Sequence, residues 1–371
     1  MTDLPKTMRA VLLTGHGGLE KLEYREDVPV PTAGPGDVLV RVLASSVNNT
    51  DINTRTSWYS EAVRSGLTEK GAQEGFEDAE GHSAGWSGAS LSFPRIQGSD
   101  IYGEIVAVGP GGPQARIGER VLVDVWIRDE QDPLNVERAG CIGSERDGGF
   151  AEFASVPETC AHAIRSELSA AELASFPCAY TTAENLVSRP AVGPGDWVLI
   201  SGASGGVGSA AIQLCKRRGA KVVAIAGDSK HEALVALGAD ACLPRRVDDL
   251  GSSLAGICPD GRVNVVLDAV CGPQFGQLVH ALHRRGRYAS CGAIAGPIVT
   301  FDVRDLIYGD LEFYGATVAP KRIFENLVRY IESGEIRPVI AKTFRLSEVR
   351  EAQEEFLRKR YVGKLVIDLV S

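Results

Sequence analysis

The sequence predicts an α/β protein of two domains, the first rich in β-strands and the second built on a doubly wound parallel sheet. Three observations predict it. The chain has 371 residues, more than a single compact core usually accommodates. Its first part contains apolar or alternating runs separated by Gly and Pro, which is typical of β-strands. From Trp197 onward, apolar strand patterns alternate with helical patterns, as in a buried parallel sheet.

In the β-rich part, strand patterns occur at 8–13, 37–43, 101–108 and 120–125. Residues 60–92, called the acidic segment below, fit no strand or helix pattern and carry six acidic and two basic side chains. A patternless segment of this length is unusual within a compact domain. It is a tolerated surface insertion, a disordered segment, or a functional lid that covers part of a cleft.

The second part begins near Leu168 with a capped-helix pattern at 169–174. Its strand and helix patterns lie at 197–200, 206–218, 221–226, 231–237, 263–268, 287–291 and 311–315. A helix near 323–333 and a strand at 363–370 follow. We predict the domains as 1–165, completed by 320–371, and 166–319.

Composition excludes several classes of function. The formal net charge is −9, whereas binding to nucleic acid or anionic membranes relies on a surplus of Lys and Arg. No apolar run approaches the roughly 20 residues of a membrane span, and the polar start, Met1 to Lys6, lacks a signal-peptide pattern. The eight cysteines include no CxxC pair. We therefore predict a cytoplasmic protein acting on a small molecule.

A dinucleotide site is predicted where the strand at 198–201 runs into a glycine-rich turn and then a helix. Such a turn offers backbone N–H groups to a pyrophosphate, and the start of the helix favours its negative charge. The first position of the usual glycine pattern is Ala203, while two later glycines keep the close approach and the tight packing. The predicted binding residues in the turn are Ser204, Gly205, Gly206 and Val207.

The end of the next strand selects between the two dinucleotides. An acidic residue there would bind the ribose hydroxyls of NAD and repel a 2′-phosphate. This chain has Ala226 and Gly227, then Asp228, Ser229 and Lys230. Gly227 followed by Ser229 and Lys230 favours NADPH, and Asp228 leaves NAD(H) open as the alternative if the strand extends by two residues.

Besides the glycine turn, further segments match one known family in order along the chain: 8–11, 35–42, 47–51, 98–109, 118–122, 148–153, 181–183 and 362–366. Through these segments the chain resembles the medium-chain dehydrogenase/reductase superfamily, within it the zinc-free quinone-oxidoreductase-like branch. The resemblance covers nearly the whole chain and implies a GroES-like catalytic domain, completed by the C-terminal tail, beside a Rossmann domain. It also implies an active site between the domains and a homodimer or homotetramer.

The resemblance also predicts that no metal is bound. Zinc enzymes of the superfamily hold the catalytic metal with residues at the positions of Asn48, Ser99 and Cys178, of which only Cys178 is a zinc ligand. A catalytic zinc needs three protein ligands and a water. The structural zinc needs four close cysteines, whereas Cys141 is the only one between residues 100 and 159.

Without a Lewis acid, plain alcohol oxidation is difficult, while hydride addition to a quinone or an activated C=C bond is feasible. The resemblance places Asn48 and Asp51 beside the nicotinamide. Tyr59 matches a tyrosine of related enoyl-thioester reductases and would donate a hydrogen bond or proton to the product enolate. A merely structural Tyr59 is the alternative, because Ser57 replaces the usual glycine and the acidic segment follows at once.

The resemblance assigns further residues to the cofactor. The hydroxyl of Thr182 and the backbone of Gly292, Ala293 and Ile294 are expected beside the nicotinamide. Arg245 and Lys364 are expected in the cofactor cleft, unless they are ordinary surface charges.

We predict a zinc-independent, NADPH-dependent reductase of quinones or α,β-unsaturated carbonyl compounds. An enoyl-thioester reductase is the alternative among enzymes, and the acidic charge of residues 60–92 argues against it if that segment lines the entrance. A non-catalytic NADPH-binding protein is the alternative from another class.

Overall fold

The computed structural model describes residues 4–76, 85–129 and 131–370. Every predicted site residue lies in these ranges. Met1 to Asp3 lie outside the described residues, and they belong to the N-terminal stretch in which the sequence shows no signal-peptide pattern. Residues 77–84 of the acidic segment also lie outside the described residues.

The first part of the chain is dominated by strands. In chain order its elements are β1 (Thr7–Leu13), β2 (Leu22–Pro29), β3 (Asp37–Ser46), α1 (Asn49–Thr56), α2 (Glu69–Glu74), β4 (Arg95–Ile96), β5 (Tyr102–Val108), β6 (Arg120–Val123), β7 (Trp126–Ile127), β8 (Gly140–Cys141), β9 (Phe153–Pro157) and β10 (Ala161–Ala163).

The second part alternates strands and helices. Its elements are α3 (Ala170–Leu173), α4 (Pro177–Ser188), β11 (Trp197–Ile200), α5 (Gly206–Arg217), β12 (Lys221–Ala226), α6 (His231–Ala236), β13 (Ala241–Pro244), α7 (Leu250–Ala255), β14 (Val263–Asp268), α8 (Phe275–His280), β15 (Leu282–Ser290), α9 (Val303–Gly309) and β16 (Glu312–Gly315). The tail adds α10 (Lys321–Glu332), β17 (Ile340–Arg345), α11 (Val349–Arg358) and β18 (Lys364–Asp368).

Strands β11 to β16 form a parallel sheet in the order β13-β12-β11-β14-β15-β16. The residues of the three inner strands β11, β12 and β14 are buried almost without interruption, because helices cover both faces of such a sheet. This order reverses between β11 and β14, and open α/β sheets bind ligands at that reversal. The turn after β11 is the predicted glycine turn, so the topology places it at the expected position.

The strands of the first part form a mixed sheet in the order β10-β6-β5-β3-β18-β17, with β9 also paired to β3, and a smaller sheet in the order β2-β1-β4. Strand β18 comes from the end of the chain and pairs antiparallel with β3. The tail therefore completes the β-rich part, and the predicted α/β fold class is confirmed. The exact domain boundaries stay a prediction.

Helix α10 carries the chain back from the parallel sheet to the β-rich part. It is strongly amphipathic and buries Ile323, Phe324, Leu327, Val328, Tyr330 and Ile331. Its buried face packs against α4. Among residues 4–76, 85–129 and 131–370, no helix is both long and apolar enough to cross a membrane.

Candidate active site and cofactor pocket

The glycine turn after β11 has the close packing that a dinucleotide site requires. A Cβ atom added to Gly208 would lie 2.4 Å from the carbonyl oxygen of Gly202, so only glycine fits where α5 crosses the turn. Helix α5 begins at Gly206 with Gly205 as its N-terminal cap. Gly205 has no side chain that could cap the first N–H groups of this 12-residue helix, and such free N–H groups bind anions.

Beyond this turn lies an open pocket of about 590 Å³ lined largely by cations. Its lining residues are Gly227, Ser229, Lys230, Arg245, Arg246, Lys359 and Arg360. The first four of these residues were predicted from the sequence, and the last three were not. Arg246, Lys359 and Arg360 belong to no motif, and Lys359 and Arg360 come from the tail of the chain.

Lys230 connects the pocket to the glycine turn. Its ammonium lies 3.1 Å from Oγ of Ser204 and donates to the carbonyl oxygen of Lys359 at 2.6 Å. Burial, reinforced by the nearby Arg245, lowers the pKa of Lys230. By contrast, the Asp228 carboxylate is 82 % exposed and does not line the pocket.

Lys359 is the second lysine of the pocket, and its charge is disfavoured in the absence of an anion. Its Nζ lies 3.3 Å from Oδ1 of Asn49 and 3.4 Å from the centre of the Phe356 ring. Burial, followed by the positive charges of Lys230, Lys364 and Arg245, lowers the pKa of Lys359 to about 7. A bound phosphate would offset that repulsion.

Lys364 lies apart from this pocket, in a buried polar network. A Cβ added to Gly206 would lie 2.8 Å from its Cδ, so the lysine stem packs on the glycine turn. Its ammonium donates to the carbonyl oxygen of Val47 at 3.1 Å and to Oδ2 of Asp100 at 3.0 Å, and it also donates to Oδ1 of Asn48. Its three N–H groups are thus used within the protein.

Asn48 is held by the same network. Its amide nitrogen donates to Oδ2 of Asp100 at 2.7 Å and to the carbonyl oxygen of Ser46 at 3.2 Å. The other carboxylate oxygen of Asp100 accepts the backbone N–H of Cys178 at 2.6 Å, which ties the start of α4 to this network. The structure therefore brings Asn48 and Lys364 together with Asp100, a residue that the sequence analysis did not single out.

Asp51 is fully buried and completes the capping box at the start of α1, whose N-terminal cap is Asn48. Its carboxylate accepts the backbone N–H of Asn48 at 2.7 Å and that of Gly98 at 3.0 Å. Burial raises the pKa of the Asp51 carboxyl to about 7. These contacts fix the loop that carries Asn48, which indicates that Asp51 positions the site.

The side chains of Thr50 and Asn53 lower the pKa of the Tyr59 phenol and the thiols of Cys141 and Cys178 raise it, so these four side chains surround the phenol. Burial nevertheless raises the pKa of Tyr59, and the phenol stays protonated near neutral pH.

The remaining predicted residues lie on α4 and in the loop that follows β15. Oγ1 of Thr182 donates to the carbonyl oxygen of Cys178 at 2.8 Å, one turn of α4 away. Gly292, Ala293 and Ile294 follow β15, and the carbonyl oxygen of Ile294 accepts the N–H of Leu67 at 2.7 Å. Residues of the acidic segment thus rest on the loop that we expected beside the nicotinamide.

The zinc-ligand positions do not fit a zinc ion. Asn48 and Ser99 offer an amide and a hydroxyl, and burial raises the pKa of the Cys178 thiol, so the thiolate is disfavoured. The ammonium of Lys364 bonds directly to Asn48. In the part of the chain that the structure describes, no group of three or more His, Cys, Asp or Glu side chains is arranged to hold a metal ion.

The fold and the pocket together define a dinucleotide-dependent oxidoreductase that combines a β-rich part with a Rossmann sheet. Residues 34–166 match the alcohol dehydrogenase GroES-like domain, and residues 206–333 match the zinc-binding dehydrogenase family. The chain belongs to the medium-chain dehydrogenase/reductase superfamily, as the sequence predicted.

Three known proteins illustrate the relationship. A crystal structure from Sinorhizobium meliloti 1021, provisionally named an alcohol dehydrogenase, is 44% identical with a TM-score of 0.88, covering 99% of this chain and 98% of that one. The chloroplastic NADPH-dependent alkenal/one oxidoreductase of Arabidopsis thaliana is 26% identical over 98% of this chain and 80% of its own length. The 2-octenoyl-CoA carboxylase reductase CinF, solved with NADP and 2-octenoyl-CoA, is 28% identical with a TM-score of 0.82, covering 99% of this chain and 88% of that one.

Proposed function

We propose that this protein uses NADPH to reduce the C=C bond of α,β-unsaturated carbonyl compounds, or a quinone, without zinc. The observation that carries the proposal is the chemistry of the three zinc-ligand positions: Lys364 bonds to Asn48, Ser99 faces the thiol of Cys141 at 3.8 Å, and Cys178 lies in an apolar cluster. Tyr59 lies close to two of these thiols and supplies a phenol there. The relatives whose names specify alkenal/one or enoyl-thioester substrates support the same type of reaction.

NADPH is the proposed cofactor because the cationic pocket suits a 2′-phosphate. Five Lys and Arg side chains line it, and Asp228 is turned to solvent. Charge-assisted hydrogen bonds of this kind are worth about 1.5–3 kcal/mol each, or roughly tenfold to a hundredfold in affinity. We expect Lys230→Ala and Arg245→Ala each to raise the KM for NADPH by about that factor and to leave the KM for NADH nearly unchanged. An equal rise for both cofactors would contradict this assignment.

The bound nicotinamide would supply a hydride to the β-carbon of the acceptor. Negative charge then develops on the carbonyl oxygen, and a donor placed at that oxygen lowers the barrier. Tyr59 is the proposed donor, because the N–H groups of Lys364 and Asn48 are already bonded within the protein. Lys364, Asp100 and Asp51 would hold Asn48 and its loop in place at this side of the site.

The zinc-free assignment predicts a distinct substrate profile. Without a Lewis acid to stabilise an alkoxide, oxidation of simple alcohols is slow, whereas conjugated acceptors remain reactive. We expect the purified protein to consume NADPH with methyl vinyl ketone, benzylideneacetone or benzoquinone, and to show no ethanol oxidation. Full activity after dialysis against a chelator is part of the prediction. Alcohol oxidation that disappears on chelation and returns with zinc would contradict it.

The second candidate is an enoyl-thioester reductase, which the relationship to CinF favours. A comparison of kcat/KM for crotonyl-CoA and for methyl vinyl ketone separates the two. We expect the ketone to be preferred, because Glu61, Glu69 and Glu74 of the acidic segment are exposed and would repel the phosphates of coenzyme A if they border the entrance.

We also propose a homo-oligomer that works in the cytoplasm. Strand β16 lies at the edge of the parallel sheet, and several apolar side chains on or near it are exposed: Val303, Ile307, Tyr308 and Phe313. Pairing of this edge with a second copy would cover them, and light scattering would measure the resulting mass. All eight cysteines are free thiols, which suits a reducing compartment.

A further inference from the structure

Two tryptophans, Trp86 and Trp126, form an apolar wall that includes Cys141 and Cys178. The ring centres of Trp86 and Trp126 lie 4.4 Å apart with 51° between the ring planes. Both rings belong to one cluster with Val125, Cys141, Cys178, Ala319 and Ile323. Trp126 is buried, whereas Trp86 retains partial exposure.

Trp86 is supplied by the acidic segment and is fixed by a specific set of hydrogen bonds. Its backbone N–H donates to Oγ of Ser144 at 3.0 Å. The next residue, Ser87, donates to Oε1 of Glu145 from its backbone N–H at 2.8 Å and from its hydroxyl at 3.0 Å. The other carboxylate oxygen of Glu145 accepts the N–H of Cys141 at 2.9 Å. Glu145 therefore holds Trp86 against the first part of the chain.

The wall adjoins the reacting end of the site. Cys141 and Cys178 both pack in the tryptophan cluster. Cys178 stands at one of the zinc-ligand positions, and Sγ of Cys141 lies 3.8 Å from Oγ of Ser99, which stands at another. Both thiols also raise the pKa of Tyr59, which places the phenol in their vicinity. Cys178 also donates its N–H to Asp100, the partner of Lys364. An acceptor whose carbonyl oxygen meets Tyr59 would thus extend its substituent along Trp86 and Trp126.

A second observation points to a ligand at the wall. The indole N–H of Trp126 is buried and has no hydrogen-bond partner among the residues that the structure describes. Buried indole N–H groups normally find a partner. The remaining surface of the cluster is apolar, so the wall favours an uncharged and flat group.

We propose that Trp86 and Trp126 form the acceptor-selecting subsite and that it takes conjugated carbonyl compounds with an aryl substituent on the β-carbon. This inference rests on the proposed function. Aromatic rings gain additional attraction from offset or edge contacts with other rings, which a methyl group or a hydrogen lacks. The acidic segment then contributes to specificity through Trp86.

The test compares the NADPH-dependent kcat/KM for benzylideneacetone with that for methyl vinyl ketone. In Trp86→Ala we expect the ratio of the two values to fall by about tenfold, the loss of one good aromatic contact. Trp86→Phe keeps a ring and should stay within about threefold of the wild-type ratio. Tyr24→Ala, which removes a half-buried aromatic side chain on β2, is the matched control and should leave the ratio unchanged.

An unchanged ratio in an active Trp86→Ala enzyme would overturn the inference alone and leave the proposed function intact. Wild-type protein that binds NADPH but reduces neither ketone nor a quinone would overturn the proposed function and this inference with it. Should Trp86→Ala fold poorly, Trp86→Phe and Trp86→Leu provide the comparison. Equal ratios in these two variants would also overturn the inference.

Discussion

Lys364 and Asp100 form a buried ion pair, with the ammonium nitrogen 3.0 Å from Oδ2 of the carboxylate. The lysine belongs to the last strand, β18, and the aspartate precedes β5, so the pair joins the tail to the first part of the chain. Both side chains are at most 4 % exposed. The pair also holds the amide of Asn48 and reaches the start of α4 through Cys178.

Removing one member of this pair should therefore be costly. In Lys364→Met the Asp100 carboxylate would be buried without its cation, which typically lowers the free energy of unfolding by about 3–5 kcal/mol. The double variant Lys364→Met, Asp100→Asn should recover much of that loss. Urea unfolding of the wild type, both single variants and the double variant measures the coupling.

The control for this cycle is the exposed pair Arg41 and Glu104, whose nitrogen and oxygen also lie 3.0 Å apart. There we expect a coupling of about 0.2–1 kcal/mol. A coupling between Lys364 and Asp100 no larger than in this exposed pair would contradict the structural role.

The low pKa of Lys359 predicts a pH dependence of NADPH binding. In the free protein its pKa is about 7, and a bound 2′-phosphate would raise it. Below the free-protein value Lys359 is charged before and after binding. Above that value binding must take up a proton, so the Kd for NADPH should rise with pH, by up to about tenfold per unit.

Calorimetric titration across about pH 6 to 9 measures this slope, with NADH as the ligand that lacks the phosphate. Lys359→Arg supplies a charge that does not titrate in this range and should flatten the slope. The same slope in Lys359→Arg, or an equal slope for NADH, would show that another group is responsible.

Arg55 is fully buried and holds the acidic segment on the first part of the chain. Its guanidinium donates to the carbonyl oxygens of Gly17 at 2.8 Å and Ala72 at 2.9 Å, and to Oε1 of Gln353 at 2.9 Å. Burial lowers the pKa of Arg55 to about 10. In Arg55→Met three acceptors would lose their donor, at about 1–3 kcal/mol for each buried group left unpaired.

We expect faster hydrogen exchange in α2, which contains Ala72, together with a lower free energy of unfolding. Arg64→Met removes an exposed arginine of the same segment and should change neither quantity by more than about 0.5 kcal/mol. Unchanged exchange in α2 of Arg55→Met would contradict the anchoring role.

The elements predicted best from the sequence are those that depend on their local residue pattern rather than on contacts with distant residues. The apolar run at 221–226 is β12, and the glycine turn lies at the sheet reversal, because each depends on local pattern and tight packing. Strand β17 and helix α11 were missing from the prediction. In β17 most side chains are exposed or half-buried, so the strand shows no apolar alternation. Strand β15 begins at Leu282 rather than 287, because exposed arginines mask its first half.

The site was predictable in part for a different reason. Lys230 was found because it follows the predicted strand at 221–226, and Arg245 was assigned from the family resemblance. Lys359 and Arg360 were missed because they lie in the tail, far in sequence from the glycine turn, and only the tertiary fold brings them to the pocket. The role of Asp100 likewise depends on a partner that is distant in sequence, Lys364. Such contacts leave no local pattern.

Tyr59→Phe tests the proposed proton or hydrogen-bond donor most directly, because it removes one oxygen and keeps the ring. General acid catalysis by a positioned side chain contributes about 10²–10⁴-fold, so we expect kcat for enone reduction to fall by at least about a hundredfold. The KM for NADPH should change by less than about twofold, since Tyr59 does not line the cationic pocket. Because the pKa of Tyr59 is raised, its titration should not lower kcat of the wild type between about pH 6 and 9.

The matched control is Tyr180→Phe, which removes a buried phenol oxygen remote from the acceptor. That hydroxyl donates to the carbonyl oxygen of Arg337 at 2.6 Å and accepts from Gln213 at 2.9 Å. Its loss should lower the free energy of unfolding and leave kcat within about twofold of the wild type. If Tyr59→Phe also stays within that range, Tyr59 is structural and the donor must be sought elsewhere. The solvent deuterium isotope effect on kcat distinguishes the two roles. If Tyr59 donates a proton in the rate-limiting step, the effect seen in the wild type disappears in Tyr59→Phe. If Tyr59 is structural, the effect is the same in both proteins.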